Sequence, residues 1–230
     1  METKINVTPE NGVLVVREGE AEKLIQKATI ARECNIPSVV DFYSKRSFDK
    51  ATSHVLVNTK AGSVTLYAND GIDTPDAIIT GKLELSPWIS KFGINSDKAW
   101  LIPELLKLFR LSRMAFKTTA DQGNLAASLA NGSGQISHEF ATADDFKGNT
   151  EQKKLTKLTS DIKTSFTLFF APYIGLDKMD VDVEFQLVVE NSTVRALLVS
   201  PRLAEILDEE KEKAFDAAIE AMKALPILVS

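Results

Sequence analysis

From Met179 to Val189 apolar and polar residues alternate without a break, and no other stretch limits the fold as tightly. Val181, Val183, Phe185, Leu187 and Val189 fall on one face, and Asp180, Asp182, Glu184 and Gln186 on the other. A period of two is the geometry of a half-buried β-strand. Asn191-Ser-Thr193 then turns the chain into Val194 to Val199, which makes a hairpin. A strand with one wet face belongs to an antiparallel sheet covered on one side only. Further strand signals follow the same logic. His54 to Asn58 and Ser63 to Ala68 flank a turn at Lys60-Ala-Gly62, Ala77 to Leu85 forms a third strand, and Ile162 to Ala171 sets Phe166, Leu168 and Phe170 on one face. Asn124 to Leu129 and Gln135 to Phe140 read as two more strands around the turn signal Asn131-Gly-Ser-Gly134.

Helical spacing separates these strands. Leu24, Ile25, Ala28, Ala31 and Cys34 predict a helix from Glu18 to Cys34, broken by Asn35-Ile-Pro37. Ser38 is then the expected cap of a short helix carrying Val39, Phe42 and Tyr43. Ser86-Pro87 opens a helix through Trp88, Ile89 and Phe92. Another is expected from Ser96-Asp97 to Phe116, with Leu101, Leu105, Leu108, Phe109 and Ser112 as its buried stripe. Pro201 begins a final helix whose stripe is Leu203, Leu207, Ala214, Ala218, Met222 and Leu225. The expected architecture is one α+β domain over residues 1–230: a mainly antiparallel twisted sheet with helices packed on one side. The helical segment 18–46 packs onto it, and the long polar stretch 143–159 is expected to be mobile or functional. The apolar tail Leu225-Pro-Ile-Leu-Val229 has two routes open. It joins two copies in a homodimer, or it returns to its own sheet as an edge strand.

Charge and motifs exclude more than they assign. A net charge of -5 opposes nonspecific wrapping of nucleic acid, whose affinity comes from Lys and Arg displacing counterions. Cys34 is the sole cysteine, which removes internal disulfides and cysteine-built zinc sites. It reads as a small buried thiol, or as a nucleophile if a base stands beside it. No apolar run approaches the roughly 20 residues that span a bilayer, and the first residues lack a signal-peptide pattern, so a cytoplasmic location is expected. The chain has no P-loop, no G-x-G-x-x-G after a strand and no G-x-S-x-G elbow. Neither a cofactor nor a catalytic residue is expected.

Three stretches, in this order, resemble a known family. They are Ser38-Val-Val-Asp-Phe-Tyr-Ser-Lys-Arg46 before the first hairpin, Leu83-Glu-Leu-Ser-Pro-Trp88, and the run from Phe185-Gln-Leu through Ser200-Pro-Arg202 and Phe215 to Leu225-Pro-Ile-Leu-Val229. Together they resemble the phage and prophage family typified by the YfdQ protein. The resemblance implies a phage genome context, often near replication or recombination genes, and so places the expected cytoplasmic location in a bacterial host. It implies no activity and carries over no catalytic residues.

Two groups of residues carry chemistry. Asp180, Asp182 and Glu184 share one strand face, where they could hold Mg²⁺ for phosphoryl transfer or form an ordinary solvated face. Lys107, Arg110, Arg113 and Lys117 recur at three and four, making one basic helix edge, and Lys45 and Arg46 add two more cations. These six could bind phosphates, or balance acidic neighbours at the surface. His54 and His138 are expected on strands with ordinary hydrogen-bond partners. The reading is a phage-encoded, non-enzymatic accessory protein that binds and neutralises a host factor, either a defence protein or a small nucleotide signal. The alternative is an accessory factor in phage DNA replication or recombination that contacts single-stranded DNA.

Overall fold

The computed structural model describes residues 28–71, 74–142, 165–190 and 193–230. The class is α+β, and the strands divide between two mostly antiparallel sheets, each packing helices on one face. The first sheet takes β1 (Ile30–Asn35), β2 (His54–Asn58), β3 (Ser63–Ala68), β4 (Ala77–Lys82) and β9 (Ile227–Val229), in the order β1-β4-β3-β2-β9. The expected hairpin pairs His54 with Tyr67 and Asn58 with Ser63. Alternation buries Val55, Val57, Val64, Leu66, Ala77 and Ile79 against α1 (Ile36–Ser44) and the C-terminal helix α5 (Leu203–Met222).

The apolar tail takes the edge-strand route. β9 runs parallel to β2, with Ile227 opposite Val55, and Thr59 and Val57 bond to the Ser230 backbone at 3.1 and 2.9 Å. At the opposite edge the sequence reading needs correction. Ile30 to Asn35 is a strand, parallel to β4 from Ala77 to Lys82, where a helix through Cys34 was expected. Apolar residues at helical spacing do satisfy that pattern, but six residues of sheet pairing outweigh it. Residues 18–27 of the expected helix lie outside the described residues. Asn35, not Ser38, caps α1: its Oδ1 accepts the Ser38 N–H at 3.0 Å. Gly81 lets α1 cross β4 closely. A Cβ there would lie 2.6 Å from Val39 Cγ2 and 2.8 Å from Ile36 Cα.

The second sheet has β5 (Trp100–Leu101), β6 (Ser165–Phe170), β7 (Met179–Glu190) and β8 (Thr193–Val199), all antiparallel, in the order β5-β8-β7-β6. Over it lie α2 (Pro87–Phe92), α3 (Ile102–Leu111) and α4 (Thr119–Thr142). Their common core is aromatic. Phe109 sits 5.8 Å from Phe92, 5.9 Å from Phe116 and 5.3 Å from Phe166 between ring centroids. The expected helix from Ser96 to Phe116 is shorter: Trp100–Leu101 pairs with β8, and a 3₁₀ turn, Arg113–Ala115, follows α3.

The two strands expected at Asn124–Leu129 and Gln135–Phe140 are one continuous helix, α4. Leu125, Ala126 and Leu129 are buried at helical spacing, so their core face has period 3.6 rather than two. Thr118 and Asp121 start the helix with a reciprocal capping pair. Thr118 Oγ1 accepts the Asp121 N–H at 3.1 Å, and Asp121 Oδ2 accepts the Thr118 N–H at 3.2 Å. Ser and Gly at 132–134 then continue within a helix already propagating, where a turn was expected. The stretch 143–159 lies outside the described residues.

α5 ties the layers together. Its Leu203 belongs to the second sheet's core, and its Phe215, Ala218 and Met222 to the first. Gly175, at φ 90°, packs directly on Asn35, adding a contact from the loop before β7 to the end of β1. Among the described residues no helix is long and apolar enough to cross a membrane.

Candidate functional site

The basic edge follows from how α3 is buried. Ile102, Leu105 and Phe109 face the core, which turns Lys107 and Arg110 outward. Arg113 stands exposed on the 3₁₀ turn, and Lys117 two residues beyond it. The turn is rigidly seated, because Ser112 and Ala115 are fully buried on its inner side. Lys107, Arg110 and Arg113 pair with no carboxylate among the described residues. Elsewhere cations are often matched: Lys82 with Glu33 at 2.8 Å, Arg202 with Glu205 at 3.4 Å, and Lys213 with Glu210 at 2.6 Å.

Lys117 is different. Its Nζ binds Asp180 Oδ2 at 3.0 Å and lies 5.5 Å from the centre of the Phe169 ring, which Lys178 also approaches at 6.0 Å. Beside this pair a cavity of about 280 Å³ opens between the start of α4 and β6. Phe116, Leu125 and Phe166 give it apolar walls, while Asp121, Asn124 and Thr167 add polar groups. Two carboxylates against one ammonium make it a poor home for a bare phosphate. A neutral polar ring fits its lining better.

The structure divides the six candidate cations. Lys107, Arg110 and Arg113 lie on α3 and its 3₁₀ turn at the second sheet, Lys117 just beyond them reaches Asp180 on that sheet's exposed face, and Lys45 and Arg46 follow α1 on the first. Lys45 is bound to Asp41 at 3.0 Å and Arg46 lies over the Phe42 ring at 4.6 Å, so both have local partners. The carboxylates Asp180, Asp182 and Glu184 do share the exposed face of β7. Each meets its own neighbour: Asp180 meets Lys117, Asp182 accepts from Thr167 Oγ1 at 2.9 Å, and Glu184 stands opposite Ser165. No group of three His, Cys, Asp or Glu among the described residues could hold a metal ion.

His54 is a strand residue, as expected, stacked on Tyr67 with centroids 4.7 Å apart and its Nδ1 3.8 Å from Asp70. His138 belongs to α4, not to a strand. Cys34 is half-buried on β1, and burial pushes its thiol above the ordinary cysteine range, away from the reactive thiolate. The feature that sequence reasoning missed is apolar. Leu111 and Met114 are 71% and 67% exposed, the two most exposed large hydrophobic side chains among the described residues. The signal was present for Leu111: at about 100° per residue it stands roughly 200° from Phe109, on the wet side of α3.

No family model, no curated protein and no solved structure matches this chain.

Proposed function

We propose that the protein is a non-enzymatic, phage-encoded accessory protein that acts by binding a host factor, and that α3 and its 3₁₀ turn form the binding face. The observation that carries the reading is the group of Lys107, Arg110 and Arg113, exposed together without carboxylate partners among the described residues of an acidic chain. Such a group is a local anion-binding face within a repulsive global field, which favours a specific partner over nonspecific polyanions. The phage context is supported by the ordered resemblance of the three segments described above. A defence protein meets this face through carboxylates. A nucleotide signal meets it through phosphates, with the neighbouring cavity open to its base.

The alternative, contact with single-stranded DNA, is favoured by one observation: Phe169 is flanked by Lys117 and Lys178, as a base-stacking site would be. The row Asp180, Asp182 and Glu184 beside it opposes a phosphate backbone and places this reading second.

Retention on heparin, used as a polyanion probe, tests the binding face. The protein should be held at low salt despite its net charge. The double variant Arg110→Glu/Arg113→Glu should pass through unretained with its melting temperature unchanged. If the variant is retained like the parent, the binding face lies elsewhere.

A further inference from the structure

The basic edge is not purely basic. Leu111 closes the last turn of α3, four residues after Lys107, and Met114 follows Arg113 on the 3₁₀ turn, with the non-helical Ser112 between the two elements. Their exposure does not come from a loose segment. Phe109, Ser112 and Ala115, which alternate with them along the chain, are completely buried, and Phe116 is 6% exposed. Phe109 is the hub of the aromatic core, in contact with Phe92, Phe116, Phe166 and Phe185. Two large apolar groups are therefore presented to solvent from a fixed backbone, in a stretch that also exposes three cations, with Glu104 two turns before Leu111 on the same side of α3. An apolar centre within a charged rim is the composition of a protein-binding patch, in which Arg and Met are enriched and flexible Met adapts to its partner. Bases need aromatic surfaces to stack upon, and Leu111 and Met114 offer none.

We infer that this patch docks an acidic amphipathic segment of a partner protein, with an apolar side chain seated between Leu111 and Met114 and carboxylates on Arg110 and Arg113. The complementary charge of the rim selects the carboxylates, and the guanidinium forks suit them in paired hydrogen bonds. The inference rests on the proposed binding face and selects the protein partner over the nucleotide one.

Fluorescence anisotropy with labelled peptides of equal length tests it. One peptide carries Leu and Glu in helical alternation, a second has every Leu replaced by Ser, and a third has every Glu replaced by Gln. The inference expects micromolar binding of the first alone. Leu111→Ser/Met114→Ser and Arg110→Glu/Arg113→Glu should each weaken it at least tenfold, with melting temperatures unchanged. A labelled deoxythymidine oligomer and vesicles of anionic phospholipid serve as competing occupants, and light scattering reports a second copy. Equal binding of the Ser-substituted peptide, or no peptide binding at all, overturns the inference. Oligomer or vesicle binding lost on Leu111→Ser/Met114→Ser also overturns it, as does dimer dissociation caused by that change. If the peptides fail while the oligomer binds through Arg110 and Arg113, only the partner's class is wrong. If nothing depends on those arginines, the binding face itself is wrong.

Discussion

The two sheets are built from similar strands and expose different chemistry. On the first, the cations near α1 find local partners, Lys45 on Asp41 and Arg46 on Phe42, and Lys82 reaches across to Glu33. On the second, α3 and its 3₁₀ turn hold Lys107, Arg110, Leu111, Arg113 and Met114 away from the core. Exposed ion pairs contribute little stability, so the pairing of Lys45 and Lys82 matters chiefly because it neutralises those two charges. The difference teaches that the count of basic residues is a poor guide to a binding face. Arrangement against the core decides which charges stay available.

The sheets also differ in how their cores respond to damage, which gives the largest expected effect. Phe109→Ala removes the hub of the aromatic core and should cost about 3–5 kcal/mol. Because α5 contributes to both cores, calorimetry should show one transition shifted downward. Two separated transitions would show that the sheets fold independently. Gly81→Ala probes the first sheet, where the added methyl meets Val39 and the Ile36 backbone of α1. Overpacking of this kind should cost about 1–3 kcal/mol in a denaturant titration, and a neutral result would show that α1 is free to lift.

Truncation after Leu225 comes next. It removes β9 and the bonds linking Val57 and Thr59 to Ser230, each contributing about 1 kcal/mol. The truncated chain should melt earlier with its mass unchanged in light scattering, since the tail pairs with β2 of its own chain. A change from dimer to monomer would reassign the tail to an interface between copies. The smallest effect is expected from chelation. Asp180 and Asp182 already have Lys117 and Thr167 as partners, so EDTA should leave the melting temperature in place, and a marked fall would make β7 a metal site.

What was legible in the sequence was local. The hairpins β2–β3 and β7–β8 pair strands close in sequence, and the structure buries Val55, Val57, Val64, Leu66, Val181, Val183 and Phe185 on their expected inward faces, while residues 191–192 lie outside the described residues. Pairings distant in sequence were not legible: β1 with β4 cannot be separated from a helix by Ile30, Ala31 and Cys34 alone. The strand reading of α4 failed for another reason. Asn131-Gly-Ser-Gly134 is a strong turn signal by composition, while Thr118 and Asp121, which start the helix, lie ten residues or more before it. At the site, the exposure of Lys107 and Arg110 was visible because it is a helix property, but Arg113 and Lys117 lie beyond the end of α3, so the four do not form the single helix edge expected. Leu111 was not singled out in a helix full of leucine, and the exposure of Met114 depends on a 3₁₀ turn that spacing alone does not reveal.

The central claim is that α3 and its turn form the binding face, and amide chemical-shift mapping tests it most directly. Adding the Leu–Glu peptide to isotopically labelled protein should move resonances of residues 107–114 and leave 41–46 and 182–184 in place. Shifts centred on Lys45 and Arg46 or on Asp182, with 107–114 silent, would contradict it.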